Sequence, residues 1–154
     1  MDRIDKNILT LLQNDSQLTN QELADAVSLS PSPCLRRVKQ LEEKKIIQKY
    51  VALLNPEALG IHLTVLASIG LDKHTSAQMR DFEAAVKKIP EVIQCYLITG
   101  HTADYILKIV ISNMAHYQKI LLEQISQIKG VTTVHSSFVM QTVLDRTDLP
   151  LDFV

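Results

Sequence analysis

The apolar residues of this chain change their period once, and that change limits what it can fold into. Up to about residue 53 they recur at three- and four-residue intervals, and beyond Gly60 runs of strict alternation enter. A period near 3.6 buries one stripe of a helix and a period of 2 buries one face of a strand, so the two parts specify different architectures. Asn55-Pro56 and Gly60 punctuate the change. The reading places residues 1–54 in one domain, 55–61 in a linker and 62–154 in a second domain, which is as much as 154 residues can hold.

The first part reads as three helices. Ile4, Ile8, Leu11 and Leu12 share a face over residues 3–14, with Asp2 as the N-cap. Thr19-Asn20-Gln21-Glu22 is a capping box that starts a short helix carrying Leu23, Ala24 and Val27. Ser28-Leu29-Ser30 is a turn, and Ser30-Pro31 opens a third helix, since Pro lacks only an N–H that the first turn leaves unpaired. Leu35, Val38 and Leu41 are assigned to its inward stripe, which leaves Ser32, Cys34, Arg36, Arg37, Lys39 and Gln40 outside; Ile47 to Leu54 reads as a short strand.

A brief turn between the second and third helices, with basic residues on the third, is the description of a helix-turn-helix. The net charge of -1 hides an uneven distribution: residues 32–49 carry six basic residues against Glu42 and Glu43, a local net of +4. A helix that enters the major groove needs cations for phosphates and small polar side chains near its N-terminus for base edges. Ser30, Ser32, Cys34, Arg36, Arg37, Lys39 and Gln40 are the candidate contacts to double-stranded DNA. A basic face alone describes many solvated helices; the preceding short helix and the local charge favour DNA.

The second part gives the order βαββαβ. His62 to Asp72 alternates, Thr75 to Ile89 is a helix stopped by Pro90, and Val92 to Thr99 and Tyr105 to Ser112 are strands joined by a hairpin loop. Asn113 caps a helix that runs to Lys129-Gly130, and Val131 to Val143 is the last strand. This is the ferredoxin-like arrangement, making the chain α+β overall. Helices cover one face of such a sheet, yet both phases of the third strand are apolar (Tyr105, Leu107, Ile109, Ile111 and Ile106, Val110), and the last strand has apolar residues on both sides. A second copy of the sheet is the simplest cover, giving a two-fold dimer.

Leu29-Ser30-Pro31-Ser32-Pro33, Arg36-Arg37-Val38, Leu41-Glu42, the linker Leu53-Leu54-Asn55-Pro56, and Thr99-Gly100 before Asp104-Tyr105 resemble, in their order and spacing, the feast/famine regulators of the Lrp/AsnC family. The resemblance covers nearly the whole chain. It implies a winged helix-turn-helix DNA-binding domain, an amino-acid effector domain, dimers assembling into octamers, and an effector held where effector domains meet. It also implies a recognition helix from about Ser32 to Lys44 and an effector loop of Thr99, Gly100, His101, Thr102, Asp104 and Tyr105, with His101-Thr102 as a mild departure.

Asp104 and Gly100 suit that role chemically, because a free amino acid needs N–H donors for its carboxylate and an acid for its ammonium. A plain turn, in which Gly100 permits a positive φ and Asp104 bonds its own backbone, accounts for the same residues. One acid in the loop disfavours a basic effector and leaves leucine or methionine as the expectation. An enzyme built on His101 and Asp104 lacks a nucleophile and a phosphate cradle. His62, His74, His101, His116 and His135 stand at no metal-ligand spacing, so no metal or other cofactor is expected. Cys34 as a redox sensor has only a nearby Arg pair in its favour. An amino-acid sensor acting through protein partners rather than DNA is the alternative. With two Cys and no apolar leader or membrane-length run, a cytoplasmic location is expected.

Overall fold

The computed structural model describes residues 1–100 and 102–153. It divides into two compact units, one formed by Met1–Leu53 with the segment from Val143 onward, the other by Leu54–Thr142.

The first unit packs α1 (Arg3–Asn14), α2 (Asn20–Ala26) and α3 (Pro31–Glu43) around Ile8, Leu9, Leu23, Ala24, Val27, Cys34 and Leu41. The expected box of α2 forms, and α1 starts with a second one. Asp2 and Asp5 satisfy each other's backbone N–H groups at the start of α1, and Thr19 and Glu22 do so at α2. Those bonds hold the Asp2 and Glu22 carboxyls below the usual carboxylate range, the backbone N–H of Asp5 and of Thr19 being the larger cause. Helices α2 and α3 both end in Schellman motifs: Leu29 N–H donates to the Ala24 carbonyl and Ile46 N–H to the Leu41 carbonyl. The residues in the left-handed position are Ser28 (φ 56°) and Lys45 (φ 57°), neither of them glycine.

Two expectations are corrected here. Ile47 to Leu54 is not a strand: Ile46 and Ile47 bond back to the Leu41 carbonyl, and residues 48–54 pair with no strand among the described residues. The chain beyond Val143 also returns to the helical unit instead of continuing the sheet. There the Gln13 side chain bonds the Leu149 backbone twice, Leu149 N–H to Oε1 at 2.6 Å and Nε2 to the Leu149 carbonyl at 3.1 Å. Leu151 packs on the helical core.

The second unit is a four-stranded antiparallel sheet in the order β2-β3-β1-β4, with β1 Leu63–Leu71, β2 Val92–Leu97, β3 Tyr105–Ile111 and β4 Val131–Phe138. Helices α4 (Ser76–Val86) and α5 (Met114–Glu123) cover one face. Val65, Ala67, Ile69 and Leu71 of β1 and Tyr105, Leu107, Ile109 and Ile111 of β3 point to them, meeting Phe82, Val86, Tyr117, Ile120 and Ile125. The second helix is shorter than its periodicity suggests, because a separate 3-10 turn, Ile125–Gln127, carries the chain to Gly130 at φ 90°.

Register narrows the expected second apolar face by removing β4 from it. Val134 and Phe138 pair with Ile69 and Val65 and lie on the helix side, where Phe138 meets Tyr117 edge-on. The open side of β4 is Thr133, His135 and Ser137, and β4 ends before Val139, Met140 and Val143. What remains apolar on the open face is a strip formed by Leu66, Tyr96, Ile106 and Val110. No helix among the described residues is long and apolar enough to cross a membrane.

Candidate functional site

Helix α3 faces outward with Ser32, Leu35, Arg36, Lys39, Gln40 and Glu43, which line a shallow depression of about 480 Å³. Ser30, the N-cap, is exposed but makes no capping bond with its side chain. Asn20 of α2 fixes the helix pair, its Nδ2 donating to the Pro31 carbonyl at 2.9 Å.

Two of the expected DNA contacts are placed otherwise than the sequence suggests. Cys34 is inside, fully buried, and Leu35 takes the outward position at 43% exposure. The inward stripe is Cys34, Val38 and Leu41, spaced i, i+4 and i+7, which tracks a helix face better than the i, i+3, i+6 set that begins at Leu35. Cys34 is therefore not a DNA contact, and burial pushes its thiol up, away from the reactive thiolate. Arg37 is committed to the fold: its Nη1 lies 2.7 Å from both Asp2 Oδ2 and Asp5 Oδ1. These two carboxylates, Asp5 first, hold the guanidinium charged and pin α3 to the N-terminus of α1. Arg36 and Lys39 remain exposed and form no ion pair among the described residues.

The β2–β3 loop is built from both of its flanking strands. Ile98 N–H donates to the Asp104 carbonyl and Asp104 N–H to the Ile69 carbonyl, so the loop base is laced to β1 as well as to β2. Gly100 is at φ 80° with open space around it, and Thr99 and Thr102 are exposed. His101 lies outside the described residues. Among the described residues, the Asp104 side chain bonds outside its own turn. Oδ2 accepts the Leu71 N–H at 2.7 Å, and Oδ1 lies 2.7 Å from Nε2 of His74, an exposed residue just beyond β1. Tyr105 is buried against Phe82, ring centroids 4.6 Å apart, and its hydroxyl donates to Glu83 at 3.0 Å. Burial, then the Glu83 carboxylate, raises its pKa far above the ordinary phenol value, so Tyr105 is a neutral wall residue. His74 has no mark in the sequence that singles it out; thirty residues separate it from Asp104, and only strand pairing brings them together.

The geometry has two parts: a cationic helix face on a three-helix unit, and a loop with a held carboxylate on a sheet unit. Comparison with known proteins matches the same two parts. The winged helix-turn-helix DNA-binding profile matches residues 1–48, and the Lrp/AsnC ligand-binding domain profile matches residues 64–149. The chain belongs to the Lrp/AsnC family. Its Lrp/AsnC relatives include the leucine-responsive regulatory protein of Salmonella typhimurium, 42% identical over 143 residues, covering 93% of this chain and 87% of the relative. Among solved structures, a transcriptional regulator from Neisseria meningitidis in complex with L-methionine superposes with a TM-score of 0.95 at 39% identity, covering 99% of this chain and 98% of the other. An AsnC family regulator from Agrobacterium tumefaciens gives a TM-score of 0.94 at 37% identity, with 99% of each chain covered. The Lrp/AsnC proteins are transcriptional regulators, and membership makes this chain a regulator rather than an enzyme. It also establishes the α+β pairing of a winged helix-turn-helix with a ferredoxin-like domain.

Proposed function

We propose that this regulator reads double-stranded DNA through the outward face of α3, with Arg36 and Lys39 on phosphates and Ser30, Ser32 and Gln40 near base edges, and that a free amino acid at the β2–β3 loop modulates its assembly or its DNA binding. The observation that carries the first part is the division of labour between adjacent arginines: Arg37 is spent on α1, while Arg36 and Lys39 stand in solvent on a segment of net +4. Uncommitted cations on a helix that follows a short turn suit phosphate contact.

For the effector, Asp104 supplies a carboxylate for the ammonium, and the left-handed turn at Gly100 supplies backbone N–H groups for the carboxylate. Leucine or methionine is the expected ligand, which the relatives' names and the L-methionine complex of the Neisseria regulator support. The strip of Leu66, Tyr96, Ile106 and Val110 is the surface for a two-fold dimer, and octamers of such dimers and a cytoplasmic location complete the reading.

Salt-dependent DNA binding tests the reader. Replacing Arg36 or Lys39 by Ala lowers the slope of log K against log salt by about 0.9 for each phosphate that is no longer neutralised. Arg37→Ala acts instead through the stability of the helical unit. An Arg36→Ala, Lys39→Ala double variant with wild-type affinity and slope would overturn the assignment of these two residues to phosphates, whereas a wild type that binds no DNA would favour action through protein partners.

A further inference from the structure

We propose that Leu35 is a base-reading residue whose side chain meets the C5 methyl of a thymine in the major groove. The inference rests on the reading that the outward face of α3 enters that groove. The turn of α3 that buries Cys34 completely rotates Leu35 by one position into solvent, leaving it 43% exposed. Its neighbours on this face are Ser32 one turn before, Lys39 one turn after, and Arg36 and Gln40 alongside, so a single apolar group stands at the centre of a polar, cationic surface.

Those surroundings select the occupant. A protein partner that covered Leu35 would have to desolvate Arg36 and Lys39 as well, whereas a nucleic acid pairs them with phosphate. Within the major groove the thymine methyl is the one apolar group that a base edge presents. A leucine can neither donate nor accept a hydrogen bond, so it distinguishes thymine from the other bases by this methyl alone. The exposed leucines Leu53 and Leu54, by contrast, lie on a segment outside any helix or strand.

Deoxyuridine removes the methyl and nothing else from thymine, which gives a direct test. Full-length protein is used to enrich duplexes from a random pool, and each thymine of the enriched site is then replaced by deoxyuridine. At one thymine per half-site the wild type is expected to lose about fourfold in affinity, the equivalent of one methyl-sized apolar contact at ~0.8 kcal/mol. Leu35→Ala is expected to bind the thymine duplex more weakly and to ignore the deoxyuridine replacement at that position, with its salt slope unchanged; Leu35→Met is expected to retain the discrimination. A wild type that enriches a site yet ignores the methyl at every thymine overturns the inference. So does Leu35→Ala with undiminished deoxyuridine sensitivity, or Leu35→Ala with altered self-association in light scattering. Failure to enrich any site overturns the DNA-reading face itself, a distinguishable result.

Discussion

Replacing Asp104 by alanine removes two things at once, and the structure shows how to separate them. Oδ2 accepts the N–H of Leu71, a residue only 6% exposed, at 2.7 Å, while Oδ1 faces the exposed His74. Alanine leaves the Leu71 donor without its acceptor, a loss of about 1–3 kcal/mol for a buried group. Asparagine has the same shape and keeps a carbonyl oxygen for Leu71, but it lacks the negative charge that an amino acid's ammonium would seek. Urea denaturation of the full chain is therefore expected to place Asp104→Asn within about 1 kcal/mol of wild type and Asp104→Ala lower by about 2 kcal/mol. Calorimetric titration with leucine and with methionine is expected to show both variants weakened by roughly ten- to a hundredfold, the worth of a charge-assisted bond. An asparagine variant that binds either amino acid as tightly as the wild type refutes the ammonium role of Asp104. An alanine variant of wild-type stability refutes the structural role of the Leu71 bond.

Ser28 and Lys45 each hold a left-handed conformation that costs a side chain about 1–2 kcal/mol and glycine much less, so Ser28→Gly and Lys45→Gly should each stabilise the helical unit by roughly 0.5–1 kcal/mol after glycine's extra chain entropy; thermal unfolding that showed destabilisation would contradict the motif. Of the two thiols, Cys95 is exposed and Cys34 is buried, so a disulfide-exchange reagent should titrate Cys95 in the native protein and Cys34 only as the helices open. Immediate reaction of both would show that α3 is turned differently.

The Asp2 cap of α1, the capping box of α2 and the four strands of the sheet were legible because each rests on local chemistry: a side chain three residues from the N–H it caps, or alternation on a pleat. What the sequence hid was anything decided by a partner at a distance. Both Schellman endings lack the glycine that usually marks them, Ser28 and Lys45 taking the left-handed position instead. The faces of α3 were inverted at Cys34 and Leu35 because a small thiol and a leucine differ in size rather than polarity, and only the space against α1 and α2 decides which goes in. Arg37 is indistinguishable by type from its neighbour Arg36, and only the fold brings the carboxylates of residues 2 and 5 to claim it. In the loop, Asp104 and Gly100 stand out by type, but the bond to Leu71 and the company of His74 follow from the pairing of β1 with β3.

The return of the C-terminal segment to the helices makes the sheet unit an insertion within the reader. The polypeptide starts in the three-helix unit, departs at Leu53 and re-enters at Val143, where Gln13 and Leu151 anchor it. A truncation after Thr142 is therefore expected to remove the segment anchored by Gln13 and Leu151 while leaving all four strands in place.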